Sequence, residues 1–146
     1  MILRIMTEAD YPQVYSLWLR CAGMGLNDVD DSPEGVARFL SRNPSTCFVA
    51  KDGSCVIGVI LAGPDGRRGF IYHNAVDPVR RHQGVGTALV HAALTALKAE
   101  GISKVALVVF NRNHDGNAFW AKQGFTLRDD LCYRNLALTE LRRIDT

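Results

Sequence analysis

The sequence predicts an α/β (α+β) domain: a mixed, mostly antiparallel sheet with helices on both faces. Three observations predict it. The runs "TCFVAK", "CVIGVILAG" and "FIYHNAV" are β-rich and joined by the turn signals Asp52-Gly53 and "PDGRRG", the pattern of consecutive antiparallel strands. Amphipathic stripes of period 3.6 precede and follow that block. One of them, over residues 83–100, connects "FIYHNAV" to the apolar run "KVALVVF", as a crossover helix does between parallel strands. A chain of 146 residues is long enough for one such core.

Taken in order, "ILRIM" reads as a strand ending at Thr7. "TEADYPQVYSLWLRC" reads as a helix, with Thr7 and Asp10 at capping-box spacing and Val14, Leu17 and Trp18 on one face. "AGMGLNDVDD" is a glycine- and aspartate-rich loop. Ser32-Pro33, a cap followed by a first-turn proline, opens a second helix that turns Val36, Phe39 and Leu40 inward and stops at Asn43-Pro44. After the three strands, the helix over 83–100 carries Leu89, Val90, Ala93, Leu94 and Leu97 and is closed by Gly101. "KVALVVF" reads as a strand buried on both faces, "GNAFWAKQ" as a helix ending at Gly124, and "FTLRDDLCYRNLAL" as a final hairpin. The expected order is β-α-α-β-β-β-α-β-α-β-β.

Composition narrows the function classes. A net charge of +2 with no run of basic residues gives no footprint for nucleic acid. No apolar stretch approaches the roughly 20 residues of a membrane span, and "MILRIMTEAD" lacks the features of a secretory signal. Cys21, Cys47, Cys55 and Cys132 form no CxxC pair and have no histidines at zinc spacing, so no metal is expected. Cys47, Cys55 and Cys132 read as small core or strand residues, and a reducing, cytoplasmic location follows.

The chemistry concentrates in "VDPVRRHQGVGTAL", residues 76–89. Glycine inside a helix costs roughly 1 kcal/mol against alanine, yet two stand where this helix begins. A strand, a glycine-rich turn and a helix N-terminus together present unpaired N–H groups to phosphate, and glycine lets the phosphate approach. Arg80, Arg81 and His82 add donors beside them. The alternative is close packing at Gly84 and Gly86. Neither the P-loop pattern nor GxGxxG is satisfied, because Leu89 stands where the third glycine belongs.

The segment Arg81-His82-Gln83-Gly84-Val85-Gly86 resembles the acyl-CoA signature of the GNAT N-acetyltransferase superfamily, Arg/Gln-x-x-Gly-x-Gly/Ala. "NHDGNAFWAKQGF", from Asn113 to Phe125, resembles a second motif of that family, and the element order agrees along nearly the whole chain. The resemblance implies one N-acetyltransferase domain over residues 1–146, with the fourth and fifth strands ("FIYHNAV" and "KVALVVF") splayed around the pantetheine arm of acetyl-CoA. It assigns pantetheine contacts to Val76 and pyrophosphate contacts to Arg81 and to His82, Gln83, Gly84, Val85, Gly86 and Thr87. Asn113 and Trp120 are further cofactor contacts. The implied reaction is direct attack of an amine on the thioester in a ternary complex, with a backbone N–H near Asn74 to Val76 as the oxyanion donor.

The chain departs from the family at the acid and the base. Trp120 occupies the usual tyrosine position and indole cannot serve as the acid; Gly116 occupies the alanine position. The strand that often carries a glutamate base offers Tyr72, His73 and Asn74 instead. Strand alternation puts Tyr72, Asn74 and Val76 on one face and His73 on the other. Tyr133, on the expected hairpin, is a further acid candidate. Asp28, Asp30 and Asp31 either attract a cationic amine or form a solvated loop in which Asp31-Ser32 starts a helix; Met24 and Leu26 are candidates for an apolar part of the acceptor pocket. The expected partners are an amine acceptor, without nucleic acid or membrane, in a monomer or homodimer. A non-catalytic acyl-CoA sensor of the same fold is the alternative.

Overall fold

The computed structural model describes residues 1–145. Strand β1 (Ile2–Ile5) leads into a single 3-10 turn and helix α1 (Tyr11–Arg20). Thr7 N–H donates to Asp10 Oδ2 at 2.9 Å, so the capping-box reading holds at the turn that begins the helix. A two-residue strand β2 (Leu26–Asn27) interrupts the loop before α2 (Pro33–Arg42). Ser32 Oγ accepts from Gly35 N–H at 3.0 Å, and Pro33 occupies the first turn, where its missing N–H costs nothing.

Strands β3 (Phe48–Asp52), β4 (Cys55–Pro64) and β5 (Gly69–Val76) form the expected antiparallel meander. Helix α3 (Val85–Ala99) then crosses over to β6 (Val105–Ala106), parallel to β5, and α4 (His114–Lys122) follows. The sheet order is β1-β3-β4-β5-β6, mixed and mostly antiparallel as expected. A separate two-stranded ladder joins β2 to β7 (Arg143–Asp145).

Strand β4 is the spine. Its side chains alternate between two layers: Val59 and Leu61 pack with Val14, Leu17, Trp18 and Val36 under α1 and α2. Ile60 and Ala62 pack with Leu89, Val90, Ala93 and Leu97 of α3. A Cβ on Gly58 would sit 2.9 Å from both Leu89 and Val85, so this glycine lets α3 close on the sheet.

Three expectations fail. "KVALVVF" supplies only the two residues of β6, and Val108 is 57% exposed; its hydrophobicity reads as burial on two faces, but among the described residues no strand lies beyond it. The final hairpin does not form: residues 126–141 hold no strand and join no backbone–backbone hydrogen bond among the described residues. A period-two pattern makes a strand only where an edge receives it. Cys132, on that segment, is exposed and outside any strand, and Cys55 is an exposed strand residue; Cys47 is buried as expected, with its thiol pushed up to about 11 by burial.

Candidate active site

Strand β5 is paired unequally on its two edges. Toward β4 it is paired from Gly69↔Pro64 to Val76↔Gly58, with one register shift between Tyr72 and Ala75. Toward β6 it makes only the pairs Gly69↔Val105 and Phe70↔Ala106. Beyond Phe70 β6 has ended, leaving β5 from Ile71 to Val76 without a strand partner on that edge among the described residues, where a splay from the next strand was expected. Backbone groups along such an edge are available to an extended ligand.

The segment after β5 is a tight turn leading into α3. Asp77 caps a 3-10 turn (Pro78–Arg80) through Val79 N–H. His82 and Gly84 have positive φ values of 63° and 82°. Gly84 is the N-cap of α3 and supplies no side-chain acceptor, so the first N–H groups of α3 stay unpaired by a cap, at the positive end of the helix dipole. A Cβ on Gly84 would meet nothing within 4 Å, so its φ, not crowding, calls for glycine.

Gly86 is different. A Cβ there would lie 3.2 Å from Phe119 and 3.5 Å from Val76, so this glycine admits α4 against α3. Gly84 is thus required by its backbone conformation and Gly86 by close packing. Val85 is buried beneath the turn, while Arg81, His82, Gln83 and Thr87 are exposed. Thr87 Oγ1 accepts from Gln123 Nε2 at 3.0 Å, which leaves its hydroxyl proton free to donate. Arg20 pairs with Asp77 and Arg80 with Asp52, but Arg81 makes no ion pair among the described residues. This turn can hold an anion.

A β-bulge reshapes the middle of β5. Leu61 faces Tyr72 and Val59 faces Ala75, so His73 and Asn74 together oppose Ile60. His73 takes φ +47°, left-handed backbone that is uncommon for any residue but glycine. The bulge overturns the expected alternation. Tyr72 and His73 share the α1/α2 side: Tyr72 lies edge-on to Phe39 with ring centroids 5.7 Å apart, and His73 edge-on to Trp18 at 5.0 Å. Val76 packs with the α3 layer instead. Burial raises the Tyr72 hydroxyl pKa, and neighbouring Tyr133 and Asp30 add to the effect. Beside Tyr72 lies a hollow of about 360 Å³ lined by Phe39, Arg42, Asn43, Gly63 and Phe70 among others.

His73 Nε2 stands 2.8 Å from Asp31 Oδ1, and Asp31 is 3% exposed. The other carboxylate oxygen accepts Asn27 N–H at 2.8 Å, and the Asp31 carbonyl accepts the Tyr11 hydroxyl at 2.6 Å. Sequence reading missed this constellation. It placed Asp31 at a helix start, and without a glycine the bulge leaves no local mark. Leu26 is buried in the core beside Met24 rather than lining an open pocket.

The remaining expected residues are dispersed. Asn113 caps α4, its Oδ1 accepting Gly116 N–H at 2.9 Å; a Cβ at 116 would overlap the Asn113 side chain, which accounts for glycine at the motif's alanine position. Trp120 is wedged between Phe119 and Phe125, with centroids 5.1 and 5.0 Å away, as a packing residue. Tyr133 is 68% exposed on the unpaired segment, near Tyr72 but on no hairpin. Asn74 Oδ1 is buried and accepts no hydrogen bond among the described residues. Cys21 Sγ reaches the Val76 carbonyl at 3.5 Å; burial raises its thiol pKa and Arg81 partly offsets this.

A mixed sheet with an open β5 edge beside the uncapped N-terminus of α3 is the architecture of this chain, and comparison with known proteins gives its class. The family model "Acetyltransferase (GNAT) family" matches residues 11–125, so the chain belongs to the GNAT acetyltransferase family. Acetyltransferase SG1711 of Sodalis glossinidius is 29% identical over 140 residues, covering 96% of this chain and 97% of its own. Acetyltransferase plu1384 of Photorhabdus laumondii is 34% identical over 109 residues, 75% of each chain. Among solved structures, PaiA N-acetyltransferase from Thermoplasma acidophilum, in complex with coenzyme A, superposes with a TM-score of 0.75 at 19% identity. That match covers 88% of this chain and 91% of the other, and it shows the shared fold.

Proposed function

We propose that this chain is an acetyl-CoA-dependent N-acetyltransferase, one domain over residues 1–146, acting on a primary amine of a small molecule or protein in the cytoplasm, as a monomer or homodimer. The observation that supports it most is the uncapped N-terminus of α3 at the mouth of the open β5 edge. The residues fit coenzyme A: the space above Gly84 is clear, Arg81 has no carboxylate partner among the described residues, and Asn74 Oδ1 is an unmatched buried acceptor. In this reading, backbone N–H groups from His82 to Thr87 and the Thr87 hydroxyl hold the pyrophosphate. The edge from Ile71 to Val76 receives the pantetheine, with Asn113 beside it through its free Nδ2. Acetyl-CoA supplies the acyl group as an activated thioester.

The chain's own groups then handle charge and protons. A free alkyl amine has a pKa of about 10, so a proton must leave it before attack. Backbone N–H groups between Asn74 and Val76 face the developing oxyanion, where one donor is worth about 3 kcal/mol. His73 and Tyr72, brought to the same side by the bulge, take and give protons; Tyr133 is the second hydroxyl in reach. The hollow beside Tyr72 accommodates the acceptor's substituent. Thiol release that needs both acetyl-CoA and an amine is the expected result of a free-thiol assay across an amine panel. Calorimetric binding of coenzyme A without turnover on any amine points to the sensor alternative. Gly84→Val is expected to weaken coenzyme A binding at least tenfold by straining the positive-φ cap, with the circular-dichroism spectrum retained.

A further inference from the structure

We propose that Asp31 is a positioning residue for catalysis: it fixes the His73 imidazole so that Nδ1 accepts the proton of the acceptor amine. The inference deepens the acetyl-transfer reading and rests on it. A carboxylate only accepts hydrogen bonds, and Asp31 is engaged as an acceptor at both oxygens, from Asn27 N–H and from His73. His73 Nε2 must therefore carry the hydrogen. In the neutral ring this leaves Nδ1 as the lone acceptor, and nothing among the described residues bonds to it. The His73 side chain is 16% exposed against 5% for Asp31, so the ring is the member of the pair more open to solvent.

The backbone supports a functional placement. A histidine at φ +47° is strained, and such outliers persist where their surroundings over-determine them. Here the carboxylate on one side and the Trp18 ring on the other lock the imidazole. The strained residue lies three positions before Val76 on the open edge, beyond the last β5–β6 pair at Phe70. The titratable groups around the pair are Tyr11 of α1, whose hydroxyl donates to the Asp31 carbonyl, with Glu34 beside it, and Tyr72, next to His73 on β5, with Asp30 and Tyr133 near its hydroxyl.

The proton balance is simple. The ammonium form of the acceptor gives one proton to Nδ1, and the imidazolium so formed lies beside the Asp31 carboxylate. The amine nitrogen then bonds to the thioester carbonyl carbon and the C–S bond breaks. The second proton lost by nitrogen ends on sulfur, and His73 returns the first to solvent. The net products are the amide, the thiol and one proton.

The test combines kinetics with a measurement that needs no turnover. Nitrogen-15 NMR of the wild-type chain without ligands should show neutral His73 as the Nε2–H tautomer. Asp31→Asn should lower kcat about 100-fold while KM for acetyl-CoA stays within about twofold, and the double variant with His73→Ala should be no slower than His73→Ala alone. Asp31→Glu, which keeps a carboxylate, should recover part of kcat. An Nδ1–H tautomer in the wild type overturns the proposal even where Asp31→Asn does not fold. Unchanged kcat in a folded Asp31→Asn, or losses that multiply in the double variant, overturns it as well. A wild-type chain that releases no thiol with any amine overturns the acetyl-transfer reading itself, whereas normal wild-type turnover with a silent Asp31→Asn overturns this assignment alone.

Discussion

The two edges of β5 share one backbone and behave differently. The β4 edge is paired along its whole length apart from one bulge, and sealed by side chains such as Val59 and Ile60, both fully buried. The β6 edge holds two pairs and then opens beside exposed residues such as Val108. Hydrogen bonds already made stabilise the fold but cannot be offered to a ligand; those left open can. The contrast shows how a single strand serves as structural spine on one side and ligand template on the other.

Three substitutions sharpen that contrast. Ile60→Ala, on the sealed side and opposite the bulge, leaves a cavity in the α3 layer and should cost about 2–5 kcal/mol in denaturant unfolding. Gly86→Ala meets Phe119 at the open end; pushing α4 aside should cost about 1–3 kcal/mol, visible as a lowered Tm. Val108→Thr, on the open side, should change stability by less than about 0.5 kcal/mol in the same unfolding assay. If Val108→Thr proved as costly as Ile60→Ala, the β6 side would be closed in solution and the asymmetry lost.

What could be read from the sequence follows the range of the interactions involved. Ser32-Pro33, Asp52-Gly53 and the Leu89–Leu97 stripe announce their elements because caps, tight turns and helical faces are settled within a few residues. The glycine turn that opens α3 was legible for the same reason, since a positive φ at Gly84 is a local demand. The hairpin expected in "FTLRDDLCYRNLAL" failed because a strand needs a partner edge, and alternation alone does not provide one. Trp120 packs edge-on between Phe119 and Phe125, a neighbourhood set by tertiary packing that its place in the sequence motif does not announce.

The sequence by itself determined the order of the long elements and the glycine-capped start of α3, because each depends on neighbours a few positions away. Only the tertiary structure decided the face His73 occupies and its meeting with Asp31, 42 residues earlier in the chain. One extra residue opposite Ile60 reverses the side on which everything after it points, and that shift is set by how β4 and β5 register against each other.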